Sequence, residues 1–229
     1  MNDVPVLLVH GFASSFERNW REPGWADLLA EEGRSVIGVD LPGHGTAARP
    51  KEPAAYARLH EAVIAELPSS GQADAVGFSL GAETLLRAAV AAPGRFRRII
   101  VAGTGDGLFT VTDPEPAARA VETGGAGGEA GLAAAALAHF ARAPGNDPEA
   151  LAACLRRPRT PLTEAELAAV TARVLIVLGD RDFAGPADRL AAAVDGARLV
   201  PLPGTDHFGT PKDFRFIQAA LDFLNEEES

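Results

Sequence analysis

Six short apolar runs, separated by helix-like stretches, constrain the fold of this chain more than any other feature of its sequence. Five of the runs are continuously apolar, which is typical of strands buried on both faces of a sheet, and the sixth is less regular. Turn-forming glycine, proline or aspartate lies at or near the end of each run. The predicted strands are residues 4–9, 36–39, 73–78, 99–102, 174–178 and 198–202.

Helical patterns, with apolar residues spaced three and four apart, occupy most of the intervals between these runs. The predicted helices are residues 25–31, 56–67, 80–92, 189–194 and 214–224. The helix at 80–92 stops before Pro93-Gly94, a pair that terminates helices. Strands that alternate with helices predict an α/β fold, a doubly wound and mostly parallel sheet of about six strands with helices on both faces.

One long segment, at about 105–171, interrupts this alternation. It contains a glycine-rich stretch at 124–128, an alanine-rich helical pattern at 132–143, and shorter helical patterns at 148–157 and 163–172. The segment is either a helical insertion that packs on the sheet or a small lid over a site, and both interpretations remain open. We expect a single domain over residues 1–229, with this lid-like insertion inside it.

Composition excludes several classes of function. The chain has 229 residues and a formal net charge of −10, with no basic stretch, which argues against nucleic acid as a partner. Its apolar runs are shorter than a membrane span, and its N-terminus lacks the features of a signal peptide, so we expect a cytoplasmic protein without a membrane span. The single cysteine, Cys154, is expected to be a small buried apolar residue. We expect neither a metal nor another cofactor, because no clustered set of ligands is visible.

The strongest chemical signal is Gly-Phe-Ser-Leu-Gly at residues 77–81, between a predicted strand and a predicted helix. A sharp strand-to-helix turn exposes its central residue, and the two glycines allow neighbouring backbone to pass close by. Ser79 would then stand at a helix N-terminus, where the helix dipole favours developing negative charge. We therefore predict that Ser79 is a nucleophile.

A nucleophilic serine needs a base, and the base needs a group that orients it. His207 directly follows the last predicted strand, and Asp182 follows the strand at 174–178. Because loops at the carboxyl ends of parallel strands meet in one crevice, both side chains are placed to reach Ser79. Asp180 is an alternative acid, but it lies directly beside Gly179, where a carboxylate can cap the turn.

These motifs together resemble the α/β-hydrolase family over nearly the whole chain outside the insertion. The resemblance is carried by residues 10–12 (His-Gly-Phe), 40–45 (Asp-Leu-Pro-Gly-His-Gly), 77–81, 179–182 and 206–208. It implies an oxyanion hole formed by the backbone N–H groups of Phe12 and Leu80. It also makes Asp106 a competitor of Asp182, because some members place the acid after the preceding strand. The family sheet often has two more strands at its start than the six predicted here.

The resemblance implies a serine hydrolase that cleaves an ester-like bond through an acyl-enzyme intermediate. The expected partner is a small to medium molecule, apolar or uncharged around its acyl group. Four phenylalanines are candidates for the walls of its pocket: Phe12, Phe109, Phe140 and Phe208. Three alternatives stay open, namely a cofactor-free haloperoxidase, a carbon–carbon bond hydrolase on the same scaffold, and a ligand-binding protein with little turnover.

Overall fold

The computed structural model describes residues 4–125 and 131–227, so residues 126–128 of the glycine-rich stretch at 124–128 lie outside the described residues. All six predicted strands are present within this part of the chain, and they form one sheet. The strands are β1 (Val6–Val9), β2 (Val36–Val39), β3 (Ala73–Phe78), β4 (Phe96–Ala102), β5 (Arg173–Gly179) and β6 (Arg198–Leu202). Their order is β2-β1-β3-β4-β5-β6, and every neighbouring pair is parallel. The predicted doubly wound α/β fold is confirmed.

The sheet separates two apolar cores, because successive side chains of a strand point to opposite faces. In β1, Leu7 and Val9 belong to one core, while Val6 and Leu8 belong to the other. All four of these side chains are fully buried. The continuous apolar runs of the sequence are therefore the signature of strands that are covered on both sides.

Each face of the sheet has its own helices. The first face is covered by α2 (His60–Ala65), α3 (Leu80–Ala91) and α8 (Asp188–Ala193), and the second by α1 (Trp25–Glu31) and α9 (Phe214–Asn225). On the second face, the Trp25 ring lies 4.7 Å from that of Phe216 in α9. Its indole N–H donates a hydrogen bond of 2.8 Å to the carbonyl of Pro211. None of the helices in the described ranges is long and apolar enough to cross a membrane.

The described part of the segment at 105–171 contains four α-helices: α4 (Glu115–Thr123), α5 (Leu132–Ala141), α6 (Pro148–Leu155) and α7 (Glu164–Ala168). Three of them match predicted helical patterns, whereas α4 was not predicted. Buried residues of α4, α5 and α6 form a third, smaller cluster that also includes Ala13 from the loop after β1. Cys154 of α6 is fully buried, and burial raises the pKa of its thiol to about 11, which leaves it unreactive.

The bounds of β4 and α2 differ from the prediction. Strand β4 begins at Phe96, three residues before the predicted start, because Arg97 and Arg98 break the apolar run without breaking the strand. The Arg97 guanidinium bonds to the buried carboxylate of Asp74 in the neighbouring β3, so the charge is paired. The helix predicted at 56–67 shortens to α2, preceded by one 3₁₀ turn at Pro53–Tyr56.

Candidate active site

The turn from β3 into α3 holds Ser79 in an unusual backbone conformation. Its φ of +53° and ψ of −113° lie in a region that residues other than glycine rarely adopt, at a cost of about 1–3 kcal/mol. Hydrogen bonds on both sides hold it there. The Ser79 N–H donates to the Ala102 carbonyl at 2.8 Å, and the Ser79 carbonyl accepts from the Glu83 N–H at 3.0 Å.

The two glycines that flank Ser79 are required by close packing. A Cβ on Gly81 would lie 2.2 Å from the carbonyl oxygen of Val9, so no side chain fits between α3 and β1. A Cβ on Gly77 would lie 2.7 Å from Leu85 and 2.8 Å from the backbone of Gly81. The close approach of neighbouring backbone, which the sequence motif at 77–81 predicted, is therefore present in the structure.

The structure brings Ser79, His207 and Asp182 into one hydrogen-bonded chain. Nε2 of His207 lies 3.0 Å from Oγ of Ser79, and Nδ1 of His207 lies 2.8 Å from Oδ1 of Asp182. The same carboxylate oxygen accepts the N–H of Ala184 at 2.8 Å, which fixes its position. A carboxylate at Nδ1 selects the tautomer that carries its proton there, so Nε2 is left free to accept the serine proton.

Aromatic rings surround the imidazole of His207. The ring centroids of Phe183, Phe78 and Phe208 lie 4.3, 4.9 and 5.3 Å from it. Phe183 was not predicted as part of the site, although its position directly after Asp182 was a visible signal. Gly103 also packs closely here, because a Cβ on it would lie 2.5 Å from Phe78 and 3.2 Å from Cε1 of His207. The imidazole is thus held in place by packing as well as by hydrogen bonds.

The two competing acids are used elsewhere. Oδ1 of Asp106 accepts the N–H of Leu190 in α8 at 3.1 Å, and Asp106 belongs to a short 3₁₀ turn. Oδ1 of Asp180 accepts the N–H of Gly204 at 2.7 Å and closes the turn after β6. The structure therefore places Asp182, and neither competitor, against His207.

Two buried histidines, His10 and His44, lie beside the site, and their hydrogen bonds to the backbone indicate a structural role. Nδ1 of His10 donates to the Gly11 carbonyl at 2.7 Å, and Nε2 accepts the N–H of Leu41 at 3.0 Å. The rings of His10 and His44 are 5.1 Å apart. Burial lowers the pKa of His10, and burial together with His10 lowers the pKa of His44 to about 3. Both imidazoles are neutral near pH 7.

This burial predicts a stability that depends on pH. The unfolded chain protonates His44 near its ordinary pKa of 6.5, whereas the folded chain does so only near pH 3. The unfolded state therefore binds more protons in that window, and the free energy of unfolding decreases as the pH falls through it. Between pH 7 and 5 we expect His44 to remove roughly 2 kcal/mol, and His10 to act in the same direction.

Urea unfolding at the two pH values measures this effect. His44→Phe keeps a flat ring that cannot take up a proton, so its free energy of unfolding should change less with pH than that of the wild type. His139→Phe is the matched control, because His139 is exposed on α5. An identical pH dependence in the wild type and in His44→Phe would contradict the assignment.

A cavity of about 260 Å³ opens beside Ser79 and His207. Its lining includes three of the four predicted pocket residues, Phe12, Phe140 and Phe208. The rings of Phe140 and Phe208 are 4.9 Å apart and partly exposed. Phe109 does not line this cavity: its side chain is buried in the core of the sheet, with the Arg189 guanidinium 4.0 Å from the ring centroid. The 3₁₀ turn after β4 carries Phe109 toward α8 instead.

Of the two expected oxyanion donors, Phe12 lines this cavity, and Leu80 directly follows Ser79, which also lines it. Leu80 is the first residue of α3, where backbone N–H groups have no acceptor within the helix. Phe12 lines the cavity and follows Gly11, whose N–H donates to Oδ1 of Asn19 at 3.0 Å. Within residues 4–125 and 131–227, no group of three or more His, Cys, Asp or Glu side chains is placed to hold a metal ion.

Comparison with known proteins places the fold in a wider context. A solved enol-lactonase from Burkholderia xenovorans LB400 is 21% identical, with a TM-score of 0.74 over 99% of this chain and 93% of its own. A bromoperoxidase from Bacillus anthracis is also 21% identical, with a TM-score of 0.75 over 98% of this chain and 93% of its own. At this level of identity, both similarities show a shared fold.

Sequence comparison adds one curated relative and one family. The dihydrolipoyllysine-residue acetyltransferase component of an acetoin cleaving system from Pseudomonas putida is 36% identical over 109 residues. That match spans 45% of this chain and 28% of the relative, little more than a quarter of its length. The family match extends over residues 6–218, from the first strand into the last helix. The chain belongs to the alpha/beta hydrolase family.

Proposed function

We propose that this protein is a serine hydrolase that cleaves an ester-like bond, with Ser79 as nucleophile, His207 as general base and Asp182 as the acid that orients His207. The observation that supports it is the hydrogen-bonded chain from Ser79 through His207 to Asp182, with distances of 3.0 and 2.8 Å, beside an apolar cavity. Each of the three side chains follows the carboxyl end of a parallel strand.

The proposed mechanism is acyl transfer in two steps. Oγ of Ser79 attacks the carbonyl carbon while Nε2 of His207 takes its proton, and the N–H groups of Phe12 and Leu80 bind the resulting oxyanion. The tetrahedral intermediate collapses as His207 gives that proton to the departing alkoxide, which leaves an ester on Ser79. Water, deprotonated by His207, then hydrolyses the acyl-enzyme by the same sequence in reverse. Asp182 stabilises the charged imidazole in both steps.

The cavity indicates the size and polarity of the substrate. Its volume of about 260 Å³ lies near the lower end of ligand pockets, and most of its lining is apolar, although Arg18, Glu22 and Lys212 also belong to it. We therefore expect small to medium acyl groups without charge, and faster turnover of short soluble esters than of long-chain triglyceride emulsions. The partner of this site is a small molecule.

We also infer that the insertion at 105–171 acts as a lid within a single domain. Leu137 and Phe140 of α5 form part of the cavity wall. The segment that follows α5 is tethered to the loop after β1, because the Asn146 amide donates to the Ala13 carbonyl at 2.8 Å. The insertion thus contributes directly to the proposed substrate pocket.

A fluorophosphonate probe tests the proposal, because it reacts with activated serines and needs no knowledge of the substrate. We expect stoichiometric labelling of Ser79, located by mass spectrometry of peptides, together with hydrolysis of p-nitrophenyl acetate. Absence of labelling would favour a binding protein with little turnover. Turnover of β-diketones, or of halide with peroxide, without turnover of esters would overturn the ester assignment in favour of the other two chemistries.

A further inference from the structure

A second cavity, of about 380 Å³, lies between residues 56–60, α3 and the segment at residues 157–160. None of Ser79, His207 and Asp182 lines it. Its polar lining is dominated by cationic side chains, including Arg87, Arg157 and Arg159. A cationic cavity is unexpected in a chain with a net charge of −10, which raises the question of what balances its positive charge.

One carboxylate faces these three guanidinium groups. Glu83, which is almost fully buried, accepts from Arg87 at 3.1 Å, from Arg157 at 3.1 Å and from Arg159 at 3.3 Å. Burial opposes its ionisation, but Arg157, Arg159 and Arg87 together hold the pKa of Glu83 below its ordinary value. Glu83 is therefore charged, and the cluster keeps an excess of two positive charges.

Two buried nitrogen atoms in the same lining are also unsatisfied. Nε of Arg159 and Nδ1 of His60 have no hydrogen-bond partner among the described residues. Unpaired buried donors are rare in folded proteins, and each specific case calls for an explanation. Nε of Arg159 always carries a proton, and a neutral imidazole can carry one on Nδ1, so both atoms are able to donate.

We infer that this cavity binds a small, doubly charged oxyanion of the phosphate class. Such a ligand supplies the two negative charges that the cluster lacks, and a shift of the Arg159 and His60 side chains toward it would give their buried nitrogen atoms an acceptor. Guanidinium groups suit this task, because their planar donors match the geometry of phosphate oxygens. The side chains of Arg87 and Arg159 are 21% and 27% exposed, so the cluster is open to a ligand from solution.

Inorganic phosphate is the probe for this site. At about pH 8, where a phosphate group is largely doubly charged, calorimetric titration of the full chain should show saturable binding of one phosphate. Phosphate should also raise the midpoint of thermal unfolding, because a ligand of the native state stabilises it. Sodium chloride and sodium acetate at the same ionic strength should raise it much less. An equal increase with either salt overturns the proposal.

Variants locate the binding. Arg159→Gln should weaken phosphate binding at least about tenfold, while Arg87 and Arg157 still neutralise Glu83 and preserve the fold. Arg159→Lys keeps the charge but loses the planar donors, so its affinity for phosphate should lie between those of Arg159→Gln and the wild type. Arg119→Gln is the control, because Arg119 is exposed on α4 and pairs with Glu115. Unchanged binding in both folded Arg159 variants overturns the proposal.

The proposed phosphate site does not depend on the proposed hydrolase chemistry, and one variant tests this independence. Ser79→Ala should bind phosphate as tightly as the wild type, because Ser79 does not line the cavity. A loss of phosphate binding in Ser79→Ala would place the anion beside Ser79 and would overturn the assignment to the arginine cluster.

Discussion

Ser79→Ala is expected to lower kcat for an activated ester by at least about 10³-fold, because alanine has no atom that can form the acyl-enzyme. The fold should survive the change. Oγ of Ser79 has one hydrogen bond within the site, to Nε2 of His207, and the backbone bonds to Ala102 and Glu83 do not depend on the side chain. The loss should therefore appear in kcat, with little change in the free energy of unfolding.

Hydrolysis of p-nitrophenyl acetate and urea unfolding, measured on the same preparations, separate the two effects. Ser14→Ala is the matched control, since Ser14 lines the same cavity, whereas the hydroxyl that lies 3.0 Å from Nε2 of His207 belongs to Ser79. It should keep kcat within about threefold of the wild type. A Ser79→Ala enzyme that retains a tenth of the wild-type kcat would show that another group is the nucleophile.

The fold was predictable from the sequence because its strands are easy to identify there. Continuous apolar runs such as 174–178 appear where a strand is covered on both faces, and glycine or aspartate lies at or near the end of each run. The positions of the site residues were predictable for the same reason. Ser79, Asp182 and His207 each follow a strand end, and parallel strands bring such ends to one edge of the sheet.

The walls of the cavity were less predictable, because they depend on packing between distant segments. Phe109 and Phe140 both belong to the insertion and look equivalent in the sequence, yet Phe109 enters the core and Phe140 reaches the cavity. The cluster around Glu83 shows the same limit. Arg157 and Arg159 lie more than 70 residues from Glu83, and no local pattern connects them.

Asp182 was predicted as the acid from the sequence, and the position of its carboxylate beside His207 leads to the prediction for Asp182→Asn. We expect kcat to fall by up to about 10⁴-fold, by analogy with the same change in a serine protease. Oδ1 of Asp182 holds Nδ1 of His207 at 2.8 Å, and Oδ2 has no partner among the described residues. An amide in this place has no charge to stabilise the imidazolium. If its NH₂ group faces Nδ1, it also selects the tautomer that cannot accept the proton of Ser79.

The comparison with Asp180→Asn and Asp106→Asn makes this prediction specific. Both replacements keep an oxygen that can accept the backbone N–H now bound by the carboxylate, from Gly204 and from Leu190. We therefore expect each to keep kcat within about threefold of the wild type on the same ester. Because Asp182→Asn removes the charge but retains the shape, its free energy of unfolding should change far less than its kcat. A larger loss of kcat at position 180 or 106 would show that the acid is Asp180 or Asp106. Equal small losses at all three positions would show that the mechanism does not depend on a carboxylate that orients His207.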